Sequence, residues 1–130
     1  MPFEIYNKTQ GTYLVRNATI ANSFFKRLKG LLGKGRLDED EALIIYPCNS
    51  IHTIGMRFPI DVLFLDNEGR AIKIVHSLQP FRINGFLRDA KAIVELPEGV
   101  LKKTKTTIGD VISTRSSLRE AQTQVGQVHL

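Results

Sequence analysis

The sequence predicts a small, mainly β domain: a closed or nearly closed antiparallel barrel with one amphipathic helix. Three observations lead there. About seven apolar or alternating runs have the length of strands. One stretch alone shows convincing helical spacing. A sheet of that many short strands exposes edges unless it closes on itself. The alternative is a two-layer α+β sandwich with the Phe24 to Leu32 helix lying across an open sheet. At 130 residues, 42% hydrophobic and 24% charged, the chain has the composition of a globular protein and the length for one core.

Phe3 to Asn17 alternates loosely and breaks at Gln10-Gly11, which predicts a hairpin. Ser23 can cap a helix whose Phe24, Phe25, Leu28, Leu31 and Leu32 form one stripe, ended by Gly33 and Gly35. Ala42 to Tyr46 is an apolar run closed by Pro47, too short for a helix and rich in strand formers. Ile60 to Leu65 is another. It is followed by the turn composition Asp66-Asn67-Glu68-Gly69 and a returning strand, Arg70 to Val75. Ala90 to Leu96 predicts a further strand, Glu98 to Lys105 one helical turn, and Val111 to Thr114 a last strand introduced by a Gly109-Asp110 turn. One domain is therefore expected over 1–114. Apolar residues thin out beyond it, so 115–130 reads as a flexible tail.

No apolar run approaches the ~18 residues of a membrane span, and the first residues lack the flank and core of a signal peptide. A single cysteine, Cys48, excludes an intramolecular disulfide. These features predict a cytoplasmic protein without a membrane partner, a monomer or weak homo-oligomer. The formal charge is +5, spread along the chain without a basic block. A nucleic-acid accessory role would rest on Lys26, Arg27, Lys29, Lys34 and Arg36; it is not favoured, because no RNA- or DNA-reading motif accompanies them.

Chemistry concentrates between Pro47 and Asp61. Cys48, His52 and Met56 are soft or borderline metal-ligand types spaced by four residues. The intervening Ile51, Thr53, Ile54 and Gly55 favour extended chain, on which four residues cover roughly 13 Å, too far for one ion. No metal site is assigned, and no cofactor is implied. The same distance weakens Cys48 as a nucleophile with His52 as its base, since a base must come within about 3 Å. A hydrolase or metal-assisted enzyme using Cys48, His52 or Asp61 is the alternative reading.

Asp61 opens a strand with two apolar faces and shares its parity with Leu63 and Leu65, so its carboxylate needs donors. The preceding loop amides, the Ser50 or Thr53 hydroxyl, or Arg57 are the candidates. Glu95 stands inside an apolar strand. His76, after its own strand, reads as a rim residue. A barrel that gathers His52, Thr53, Arg57, Asp61 and Glu95 at one mouth would form a small polar pocket for a polar or anionic ligand, which makes a binding module the leading reading.

At these residues the chain resembles a known family. The string Ile51-His52-Thr53-Ile54-Gly55-Met56-Arg57-Phe58-Pro59-Ile60-Asp61-Val62-Leu63-Phe64-Leu65-Asp66 is similar to the signature of domain of unknown function 192, also catalogued as uncharacterised protein family 0127. Gly30-Leu31-Leu32-Gly33, Ala92 to Gly99, and Gly109-Asp110-Val111 match in order. The resemblance implies a small, mainly β domain and no particular activity.

Overall fold

The computed structural model of the chain describes residues 3–21, 37–48, 50–52, 58–80, 83–85, 87–116 and 127–128. The strands are β1 (Phe3–Asn7), β2 (Thr12–Ala21), β3 (Glu41–Ile45), β4 (Ser50–His52), β5 (Ile60–Leu65), β6 (Ala71–Leu78), β7 (Ile83–Gly85), β8 (Ala92–Pro97), β9 (Ile112–Ser116) and β10 (Gln127–Val128); α1 (Val100–Lys103) lies between β8 and β9. The helix expected over Phe24 to Leu32 lies outside the described residues.

One large sheet runs in the order β10-β9-β1-β2-β3-β8-β5-β6, and β4 pairs with β7 apart from it. All of its neighbours are antiparallel except β2 and β3, which run parallel from Asn17 opposite Glu41 to Ala21 opposite Ile45. A parallel pair needs a long connection, and 19 residues separate Ala21 at the end of β2 from Glu41 at the start of β3.

The two ends of the sheet meet. Arg70 bridges Val111, the Ile112 N–H donates to the Gly69 carbonyl at 2.8 Å, and Ala71 exchanges hydrogen bonds with Asp110 and Gly109 at 2.8 Å each. The result is a nearly closed barrel. It is mainly β, as the sequence predicts, with a parallel seam that apolar runs alone do not reveal.

Strand alternation sorts the apolar side chains into two cores. Ile5, Val15, Ala18, Ile44, Leu63, Leu65, Val94, Leu96 and Ile112 fill the barrel, and Val100 and Leu101 of α1 join them from one end. Leu43, Ile45, Ile60, Val62, Phe64 and Ile93 point outward from β3, β5 and β8, where Leu37, Phe58 and Ala90 pack over them. Strand β5 is therefore buried on both faces. Its unbroken apolar sequence follows from that position.

Strand β9 runs to Ser116, two residues past the expected domain boundary, and β10 pairs with it at Arg115 and Thr114. No helix among the described residues is long and apolar enough to cross a membrane.

Candidate functional site

Asp61 lies near the start of β5 with its side chain turned into the barrel, and it is wholly buried. Its Oδ1 accepts the Ser77 N–H, and its Oδ2 accepts the N–H groups of Gly99 and Leu101, each at 3.0 Å. None of the three comes from the loop before it. The backbone explains how they converge. Between Ile60 opposite Leu78 and Val62 opposite Val75, the β5–β6 register carries a bulge. Ser77 sits in it at φ 53°, which turns its amide toward the carboxylate. Gly99, at φ 95°, sets the entry to α1 so that two consecutive-turn amides face the same oxygen. The side chain thus holds β5, the β6 bulge and the Pro97 to Leu101 turn together.

Glu95 occupies the other face. It is opposite Leu43 on β3 and Val62 on β5, both outward-facing, and it is wholly buried among that outer core. Asp61 pairs with Leu96 instead, inside the barrel. The two carboxylates are sequence-predicted partners that the pleat separates.

Cys48 is half-buried against the outer core. Its N–H donates to the Lys91 carbonyl at 2.9 Å, and it borders a depression of about 250 Å³ with Pro47, Ala90 and Lys91. His52 ends β4, opposite Ile83 of β7. Thr53, Met56 and Arg57 lie outside the described residues. His76 is exposed on β6. Among the described residues no three His, Cys, Asp or Glu side chains are placed to share an ion.

Two depressions adjoin the region that Asp61 fastens. One, of about 450 Å³, is lined by Leu37, Glu39, Phe58, Pro59, Pro97 and Glu98. The other, of about 310 Å³, has Tyr13, Val100, Lys103 and Thr104 among its walls and shares Glu39, Pro97 and Glu98 with the first. Among the described residues, their walls include the Tyr13 and Phe58 rings, Pro59, Pro97 and aliphatic side chains, and their charged groups are the Glu39 and Glu98 carboxylates and the Lys103 ammonium. Lys103 Nζ is 3.8 Å from Glu39 Oε1, a pair open to water.

A second polar cluster closes the loop before β9. Asp110 Oδ2 accepts from Asn7 Nδ2 at 2.9 Å, Thr107 N at 3.0 Å and Gln10 Nε2 at 3.2 Å, and Asn7 Nδ2 also reaches Thr106 Oγ1. Burial works against ionisation of Asp110. The hydrogen bonds from Asn7, Thr107 and Gln10 outweigh it and hold its pKa below the ordinary aspartate value.

The profile of DUF192, a family described as "Uncharacterized ACR", matches residues 5–114. The chain belongs to the DUF192 family. A UPF0127 protein of Thermococcus sibiricus is 33% identical over 113 residues, 83% of this chain and 72% of that one. A UPF0127 protein of Pyrococcus horikoshii is likewise 33% identical over 113 residues, covering 83% of this chain and 96% of its own length. A crystal structure of a protein of unknown function from Novosphingobium aromaticivorans shares the fold at a TM-score of 0.71 and 18% identity, over 86% of this chain and 83% of that one.

The motifs that carried the DUF192 resemblance now have positions. Asp61 of the long signature binds the Gly99 amide of the Ala92 to Gly99 motif. Gly109-Asp110-Val111 supplies the turn, at φ 96° for Gly109, through which the barrel closes. Three features gave no signal in the sequence. Glu39 stands in the acidic stretch Asp38-Glu39-Asp40-Glu41, where nothing distinguishes it from its neighbours. Asn7 falls inside the alternating stretch of the first predicted hairpin, with nothing to set it apart. Glu4, buried on β1, is held by Arg16 at 2.9 Å and Arg115 at 3.4 Å.

Proposed function

We propose that this DUF192 protein is a binding module whose small polar ligand sits in the groove between Phe58-Pro59 and Pro97-Glu98. One observation carries the reading. Two depressions sharing Glu39, Pro97 and Glu98 are lined by residues of two family motifs, and the buried carboxylate of Asp61 in the first motif accepts the Gly99 amide that ends the second. A groove whose walls are tied by Asp61 is pre-organised, which lowers the ordering cost of binding.

In this reading Asp61 positions the groove and does not touch the ligand. His52, Thr53 and Arg57 are the polar groups that the chain supplies just before Phe58, and an anionic ligand group would fall to Arg57. Glu95 lies beneath the outer core on the same strand as Pro97 and lines neither depression, so in this reading it supports the groove from below and does not touch the ligand.

The test is thermal unfolding against a panel of amino acids, carboxylic acids, nucleotides and divalent metal salts, together with native mass spectrometry of the purified chain. A ligand at 100 times its Kd stabilises the native state by about 2.7 kcal/mol, a readily measured rise in melting temperature. Glu98→Ala should reduce that rise while leaving the unliganded melting temperature near its original value. No shift with any compound, and no bound species, would sink the proposal.

A further inference from the structure

The edge of β9 that faces away from β1 is covered by two different elements in turn. The Ile112 N–H points to that side and donates to the Gly69 carbonyl at 2.8 Å, so the β5–β6 turn holds the edge as far as Ile112. Alternation turns the backbone of Thr114 to the same side. There the turn gives way to β10, with Val128 opposite Thr114 and Gln127 opposite Arg115. Only two residues pair, and ten, 117–126, lie between β9 and β10. Two residues suffice to join antiparallel neighbours, so the connection is much longer than the pairing requires.

Beyond the Arg70 to Val111 bridge the sheet has two edges, and they differ. Strand β6 shifts register twice against β5 and carries Lys73, features that turn an edge away from foreign strands. Strand β9 has neither protection. Its five residues pair with β1 without a shift, they include no proline, and their one charged side chain, Arg115, is engaged by Glu4 and Tyr13. A regular strand of this kind is a template for another copy unless something covers it. Among the described residues, the strand that pairs with it past Ile112 is β10.

We propose that the C-terminal strand is an edge guard: β10 occupies the open length of β9, and when it leaves, that edge pairs with the same edge of a second copy. What the edge offers fixes the occupant. Thr114 presents backbone groups, and a second β9 set antiparallel about a two-fold axis satisfies them with the same residues from each copy. While β10 is in place its tether keeps it at high effective concentration, so it outcompetes a free strand. Its hold is only two residues deep, so one backbone change releases it. No residue of β9 or β10 lines either depression of the proposed ligand groove, so either reading can fail alone.

The experiment is sedimentation velocity of the full chain over a concentration series. Val128→Pro removes the N–H at the position paired with Thr114, and it should tighten dimerisation at least about tenfold over wild type, the equivalent of one or two net hydrogen bonds withdrawn from the guard. A synthetic peptide of residues 119–130 should return that variant to monomer. Gln127→Pro is the register control: alternation turns its N–H away from β9, so it should sediment like wild type. The urea midpoint of Val128→Pro should be unchanged, which separates edge pairing from association of unfolded chain. A Val128→Pro chain that sediments like wild type would overturn the proposal. So would equal association of both variants, association that the peptide does not reverse, or association that comes with a lowered midpoint.

Discussion

Asp61→Ala removes an acceptor from three backbone amides at once, and the structure sets the size of the effect. A hydrogen bond to a charged group contributes about 1.5–3 kcal/mol, and an amide left buried without a partner costs a similar amount. The Leu101 N–H is buried, whereas those of Ser77 and Gly99 are part-buried and can recover water. A loss of about 3–5 kcal/mol is therefore expected, against a total stability of about 5–15 kcal/mol for a domain of this kind. Asp61→Asn should fall between alanine and wild type. Its one oxygen can serve Gly99 and Leu101 together, but its amide group then faces the Ser77 N–H, donor against donor. Urea unfolding followed by circular dichroism gives both values, provided the slope is unchanged. A midpoint for Asp61→Ala within about 0.5 kcal/mol of wild type, the range of an ordinary surface change, would refute the anchoring argument.

Two further predictions concern the turns. The pKa of Asp110 is lowered in the folded protein, so the unfolded chain binds its proton more readily. The stability it contributes is complete above the unfolded value of about 3.9 and is lost as pH falls through the folded one. Asp110→Asn should flatten the acid limb of a plot of urea midpoint against pH; an unaltered limb would discount the cluster. At Gly99, a Cβ would meet nothing within 4 Å, so Gly99→Ala carries only the backbone cost of φ 95°, about 1–2 kcal/mol. A larger loss by the same urea measurement would mean that the Asp61 hydrogen bonds break with it.

The strands were legible because burial on both faces leaves an unbroken apolar run, as in Ile60 to Leu65, and because Gly69 and Gly109 mark turns that need positive φ. The parity of Asp61 with Leu63 and Leu65 was also visible, and it correctly implied a carboxylate in need of donors. Which donors was not visible. They lie 16, 38 and 40 residues along the chain and are brought in by a bulge and a left-handed glycine, neither of which has a periodic signature. The separation of Asp61 from Glu95 likewise depends on register. Only once Val62 is known to stand opposite Glu95 does alternation put the two acids on opposite faces. The parallel pairing of β2 with β3 sets strands far apart in sequence side by side, which local pattern does not encode.

The pairing of β1 with β9 places Phe3 opposite Ser116, so the first and last long strands of the barrel are neighbours. During synthesis β1 and β2 can form their hairpin early, but the outer edge of β1 waits for a partner made at the far end of the chain. The Asn7, Asp110 and Val111 contacts that seal the barrel belong to that same late event. Closing so long a loop must precede the contacts that reward it, which favours slow, concerted completion over stepwise growth. A ribosome-bound chain short of residue 111 thus holds the outer strands of a sheet it has no means to close.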